Sequence, residues 1–217
     1  MPTETTKIRT KSVKNVLSKK FKTFDFKGFW LDVFGKPEQN GVWLIYGLEK
    51  NGKTWFTVKL AEYLSTFGKT LYVSAEEGLS MTFQEVLDRA NIDFKKSKLH
   101  FQEYEAFETS LTRLEGRGAF RIIIFDNVSF YGAEIRKSDI TDLMKKYKNT
   151  LFVFLAHEDR NKPEGATAQF IKKMSKIFIN IKGLRAFVAG RCPGGTIDID
   201  IEKAQLYHGT NPTEHEK

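Results

Sequence analysis

Four stretches of this sequence carry residue types and spacings suited to chemistry on a phosphate anhydride. The first is Gly47-Leu48-Glu49-Lys50-Asn51-Gly52-Lys53-Thr54, with Trp55 directly after it. Glycines at its two ends let the backbone wind so that successive N–H groups point inward at phosphate oxygens, and a helix opening at Lys53 adds a favourable field for an anion. Lys53 would reach the β- and γ-phosphates of ATP, and the Thr54 hydroxyl would ligate Mg²⁺. The second stretch, Arg121 to Asp126, is an apolar run ending in a carboxylate, which would hold Mg²⁺ through water. The third, Leu71 to Glu77, ends in Glu76 and Glu77, and a glutamate there can polarise the attacking water, a role the glycine loop cannot fill. The fourth, Leu151 to His157, ends in a polar residue placed to sense the γ-phosphate.

Each stretch also has a plainer reading: a glycine turn, an N-cap aspartate, helix-entry glutamates, a structural histidine. The flanking pattern favours the chemical one. Residues 42–46 form a short, continuous apolar run, as in a strand buried on both faces, and Phe56, Val58, Leu60, Ala61 and Leu64 recur at roughly helical spacing. The glycine loop therefore sits between a strand and a helix, as a phosphate-binding loop must.

The same alternation continues along the chain. Strands are expected at about 42–46, 70–74, 121–125 and 151–155, with a weaker one near 98–102. Helices are expected between them at about 53–66, 80–91, 107–115 and 137–147. Each strand–helix step returns the next strand in parallel, which predicts an α/β fold with a mainly parallel, doubly wound sheet. Residues 176–182, 184–189 and 196–201 alternate polar and apolar between glycine turns, and read as an antiparallel β-meander at the sheet edge. The aromatic-rich stretch Phe24 to Phe34 is expected to pack beside the core.

The chain has 217 residues, of which 41% are hydrophobic and 29% charged, ordinary values for a soluble globular domain. The sequence has no apolar run of membrane-spanning length and no signal-peptide core at its start, so an intracellular, cytoplasmic protein with no membrane partner is expected. Its one cysteine, Cys192, excludes an internal disulfide and any multi-cysteine metal site. Seven of the 35 basic residues but only one of the 27 acids fall within positions 1–22, so this segment holds +6 of the net charge of +8. The expected organisation is a basic arm over 1–23, a nucleotide-binding domain over 24–208 and a polar, flexible tail over 209–217. The arm suits either nucleic acid or a role in solubility and partner docking.

Taken together, the glycine loop, the strand ending Ser-Ala-Glu76-Glu77, the strand ending at Asp126, the strand ending at His157 and the β-meander resemble the RecA-type P-loop ATPases, closest to the RadA/Sms and DnaB-helicase branches. The approach from Phe24 to Tyr46 is also similar to RecA-type segments of phages and mobile elements. The resemblance spans about residues 24–208 and implies a RecA-like P-loop NTPase fold with ATP and Mg²⁺ as ligands. It implies Glu76 as catalytic glutamate, Lys53 as phosphate-binding lysine, Thr54 and Asp126 at the metal, and His157 as sensor. Arg191, in FVAGRCPGG, matches the arginine of the family's Lys-Asn-Arg-Phe-Gly motif, which acts on a neighbouring subunit; Ala189 and Gly190 stand nearby with no counterpart to the lysine.

The resemblance further implies a homo-oligomer and DNA, single-stranded, at the loops Asn127 to Lys137 and Glu158 to Ala168, with Phe130 and Tyr131 stacking on bases and Arg136, Lys137, Arg160 and Lys162 meeting phosphates. The expected function is a DNA-acting ATPase of replication, recombination or repair. The alternatives are a nucleotide-dependent regulatory or loader module that binds a protein partner, and a small-molecule kinase, for which no arginine-bearing lid is evident.

Overall fold

The computed structural model describes residues 10–132 and 134–209. The first nine residues of the expected arm and the expected tail beyond Gly209 lie outside the described residues. In chain order the elements are α1 (Val13–Leu17), α2 (Gly28–Phe34), β1 (Gly41–Gly47), α3 (Lys53–Ser65), β2 (Thr70–Ser74), α4 (Met81–Ala90), β3 (Leu99–Glu103), α5 (Phe107–Thr112) and β4 (Ile122–Asp126). A short 3₁₀ turn (Val128–Tyr131) follows, then α6 (Lys137–Lys146), β5 (Leu151–Asp159), β6 (Lys162–Pro163), α7 (Gly165–Met174), β7 (Ile177–Lys182), β8 (Arg185–Gly190), β9 (Gly195–Asp198) and α8 (Ile201–His208).

The main sheet runs β3-β2-β4-β5-β1-β7-β8-β9, with β6 paired to the end of β5. All pairs from β3 through β7 are parallel, and β8 and β9 are antiparallel. Helices cover both faces, which is why the central strands read as unbroken apolar runs. The two-residue period divides them between two cores. Trp43, Ile45, Ile122, Ile124, Val153 and Leu155 face one layer with α2, α3 and α4, whereas Val42, Leu44, Ile123, Phe125, Phe152 and Phe154 face the other with α5, α6 and α7.

The aromatic approach segment closes the first layer. Phe24, Phe26, Trp30 and Phe34 are buried, and Phe34 stacks on Trp43 with ring centroids 5.5 Å apart. The residues just ahead of Phe24 also join the fold: Thr23 bridges Glu38, and Gln39 N–H donates to the Lys22 carbonyl at 2.9 Å.

Two helices depart from the sequence expectation. Residues 158–168, expected as a loop, instead extend β5 to Asp159, turn back through β6 and enter α7. That helix buries only Ala168 and Ile171, too few apolar positions to show a clear period. As the crossover from β5, it lays β7 parallel beside β1, so only β8 and β9 form the antiparallel extension. The alternation expected to reach residue 201 stops at Asp198, where Asp200 caps α8 by accepting from Lys203 N–H at 3.1 Å.

Candidate nucleotide site

Parallel pairing brings the four chemical stretches to one end of the sheet. β1, β2, β4 and β5 are adjacent, and their C-terminal ends carry the glycine loop, Glu76, Asp126 and His157. The register places Gly47 opposite His157 and Ser74 opposite Asp126. Topology thus converges residues that lie far apart in the chain.

Local sterics dictate the loop's residues. A Cβ on Gly47 would lie 2.2 Å from the Ile181 carbonyl oxygen, so the close approach of β7 admits glycine alone. Gly52 sits at φ +94, a left-handed conformation that precedes α3, and Phe56 N–H makes the first helical bond to its carbonyl at 2.9 Å. Asn51 ties the loop to the β7–β8 turn: its Oδ1 accepts from Gly183 N–H at 2.7 Å and its Nδ2 donates to the Glu49 carbonyl at 2.9 Å. Leu48, Glu49 and Lys50 are exposed, whereas Lys53 is buried, and its ammonium donates to the Leu48 carbonyl at 2.9 Å. Burial holds the Lys53 pKa below its ordinary value, opposed by Asp126, Glu76 and other acids nearby.

Asp126 is buried at the end of β4, where the Tyr72 hydroxyl donates to its Oδ2 at 2.5 Å. Burial raises its pKa to about 7; the Tyr72 hydrogen bond opposes this, and the charges of Glu76 and Glu77 add to it. The peptide bond from Asp126 to Asn127 is cis. Glu76 is anchored on both oxygens: His157 Nε2 lies 3.1 Å from Oε1, and Asn127 Nδ2 donates to Oε2 at 3.1 Å. Glu77 has its pKa raised, first by burial and then by Glu76. Anchoring of this kind orients a general base, and favours Glu76 over its neighbour for that role. His157 Nδ1 is buried and has no protein partner among the described residues.

These groups line a cleft of about 470 Å³. Sequence reasoning missed part of its wall. Thr82, Val86 and Arg89 come from one face of α4, Leu184 from the β7–β8 turn, and Lys203 from α8. Arg89 and Lys59 lie 5.4 and 5.2 Å from the Trp55 ring centroid, and Trp55 Nε1 is buried without a partner among the described residues. The spacing of Thr82, Val86 and Arg89 places them on one helical face and was a usable signal; nothing local marked Leu184 or Lys203. Tyr72 and Asn127 also escaped notice, being a strand residue and a post-strand residue whose partners only the pairing supplies.

Arg191 is not part of this cleft. Its N–H donates to the Lys176 carbonyl at 2.7 Å, and Lys176 in turn bonds Val42 at the start of β1. The residue is therefore at the opposite end of the sheet from its own chain's glycine loop, so the role on a neighbouring subunit implied by the motif match is the one its position leaves. Tyr131 is likewise fully buried against Phe107 and Phe125, so its ring is unavailable for stacking on a base. Phe130, by contrast, is half-exposed.

No protein-family model matches the sequence, and no curated protein matches it. Solved structures do. The flagellar accessory protein FlaH from Methanocaldococcus jannaschii superposes with a TM-score of 0.55 at 18% identity, covering 82% of this chain and 92% of that one. A second solved structure, described as an ATPase domain, gives 0.51 at 15% identity, covering 76% of this chain and 83% of that one.

The fold is that of a RecA-like P-loop NTPase. The likeness extends over most of both solved structures, and this chain's sheet is the mainly parallel one with an antiparallel extension that such a fold predicts. At these identities it carries the architecture and not the narrower RadA, DnaB or phage affiliation.

The residues present fit a nucleotide and its metal. A buried lysine whose ammonium bonds a loop carbonyl, with hard oxygen donors at Thr54 and Asp126 in the same cleft, is chemistry that suits a magnesium triphosphate. Among the described residues no group of three or more His, Cys, Asp or Glu is placed to hold a metal ion. No helix among them is long and apolar enough to cross a membrane.

Proposed function

We propose that this RecA-fold chain binds ATP with Mg²⁺, hydrolyses it, and uses the difference between its nucleotide states to control a partner. The observation that carries the reading is the doubly anchored Glu76 across the cleft from the glycine loop, with Asp126 between them in sheet order. In this scheme the loop N–H groups and Lys53 bind the phosphates, and Lys53 exchanges the Leu48 carbonyl for phosphate oxygen. Thr54 and Asp126 would hold Mg²⁺, which would supply neutralisation of phosphate charge. Glu76 orients water and accepts its proton, and His157, hydrogen-bonded to Glu76, links the γ-phosphate position to β5 and the β6 hairpin.

The description of FlaH as an accessory protein supports a regulatory or loader role toward a protein partner, and the second structure, described as an ATPase domain, supports turnover. A second reading, action on DNA in replication, recombination or repair, is favoured by exposed Phe130, Arg136, Lys137, Arg160 and Lys162, which belong to segments following β4 and β5 on the nucleotide side of the sheet. A homo-oligomer is part of either reading. Arg191 would serve catalysis only in another copy's cleft, and a sedimentation run in ATP that finds monomer alone removes that role.

The test is ATP binding and steady-state phosphate release, with and without single-stranded DNA, for the wild type and Lys53→Ala. Lys53→Ala is expected to keep its thermal transition and lose nucleotide binding or turnover; an unchanged rate overturns the assignment. Stimulation by DNA selects the second reading, and its absence selects the protein-directed one.

A further inference from the structure

A groove opens at the end of the sheet away from the nucleotide cleft. One cavity of about 540 Å³ is lined by Lys19, Lys20, Phe21, Lys22, Lys148 and Lys176, among others. An adjoining cavity of about 230 Å³ shares Lys22, Asn40 and Asn149 with it and adds Arg121. Among the described residues Glu38 is the sole acid lining either cavity, and it pairs with Lys176 at 3.0 Å. Among the same residues, Lys19, Lys20, Lys22, Lys148 and Arg121 take no ion pair.

Topology explains why cations collect there. Parallel strands all begin at one end of a sheet, so a basic residue placed before each strand adds to one surface. Lys69 precedes β2, Lys98 precedes β3, Arg121 precedes β4 and Lys176 precedes β7, while Arg191 follows antiparallel β8 at the same end. The position is fixed by Gly41 N–H bonding the Thr150 carbonyl and Lys176 N–H bonding that of Val42. The length of β1 puts the groove roughly 20 Å from the glycine loop.

The lining is braced. Asn40 Nδ2 donates to the Lys148 carbonyl at 2.9 Å and its Oδ1 accepts from the Lys176 ammonium at 2.7 Å. Phe21, 51% exposed, stands beside the groove with the Lys19 ammonium 4.6 Å from its ring centroid. A concave surface rimmed by exposed cations, with an available aromatic ring, suits a flexible polyphosphate with stacking bases.

We propose that this groove binds single-stranded nucleic acid by its phosphate backbone, with Phe21 stacking on a base. The site is separate from the nucleotide cleft and from the segments after β4 and β5, so it stands or falls independently of ATP turnover.

The experiment is fluorescence anisotropy of a labelled oligothymidylate about 20 nucleotides long, titrated with the full chain over a range of salt. If three to five phosphates are neutralised, log affinity falls against log salt with a slope of about −2 to −4. The variant Lys20→Gln/Lys22→Gln/Lys148→Gln alters exposed residues only, and is expected to keep its thermal transition, bind at least about tenfold more weakly and lose about 2 from the slope. Phe21→Ala is expected to weaken binding with little change in slope. Lys182→Gln, an exposed cation outside the groove and the nucleotide cleft, is expected to bind as the wild type does, and Arg136→Gln/Lys137→Gln/Arg160→Gln/Lys162→Gln measures the strand-end segments separately. The proposal is overturned if the groove variant binds normally or the strand-end variant alone loses binding. It is equally overturned if polyglutamate of matched charge displaces the oligonucleotide as well as unlabelled strand does, which would mark an acidic-protein surface, or if anionic vesicles bind and the oligonucleotide does not.

Discussion

Replacing Glu76 by Gln isolates the carboxylate's basicity from its position. The glutamine carbonyl can still accept from Asn127 Nδ2, and its amide can donate to His157 Nε2 when that ring carries its proton on Nδ1, so both 3.1 Å contacts have a neutral counterpart. The loop, Lys53, Thr54 and Asp126 are untouched, and a negative charge near the phosphates is removed, so ATP should bind as well as before or slightly tighter. A positioned general base is worth about 10²–10⁴ in rate, or about 3–5 kcal/mol of barrier at 1.36 kcal/mol per decade. Phosphate release should therefore fall by two to four decades while a fluorescent ATP analogue titrates normally. A turnover number within about threefold of wild type would refute the assignment. A large fall in Glu77→Gln with Glu76→Gln unaffected would move the base by one residue.

Asn51→Ala should loosen the nucleotide loop from the β7–β8 turn, since it deletes the 2.7 Å bond from Gly183 N–H and leaves that donor without its partner; stability should fall by about 1–3 kcal/mol, read by denaturant titration, with weaker ATP binding. Asp126 gives a pH signature without nucleotide. Its pKa is about 7 in the fold against an ordinary value of 3.8, so the native state holds the proton more tightly, and stability falls as pH rises from about 4 to about 7. Asp126→Asn should flatten that slope and raise stability at pH 8 by on the order of 4 kcal/mol, with loss of magnesium-dependent turnover; an unchanged slope in thermal melts removes Asp126 as its source.

The sequence by itself determined the parallel αβ alternation, the loop and the strand-end carboxylates, because a strand buried on both faces must be continuously apolar and a polar residue at its end is conspicuous. Gly47, Lys53, Asp126, Glu76 and His157 were legible for that reason, and the strands expected at 42–46, 70–74 and 151–155 lie within β1, β2 and β5, with the run at 121–125 one residue ahead of β4. Tertiary structure decided what depends on pairing. Asn51 becomes a brace only because β7 lies beside β1, Tyr72 reaches Asp126 only across the β2–β4 pair, and Arg191 falls at the far end only because β8 runs antiparallel. Helices α7 and α8 were hidden because they bury one or two side chains each, leaving no period to read. The basic groove was only partly legible: Lys19, Lys20 and Lys22 stood out as part of the basic arm, but Arg121, Lys148 and Lys176 are each unremarkable in sequence, and it is the common starting end of parallel strands that gathers them beside it.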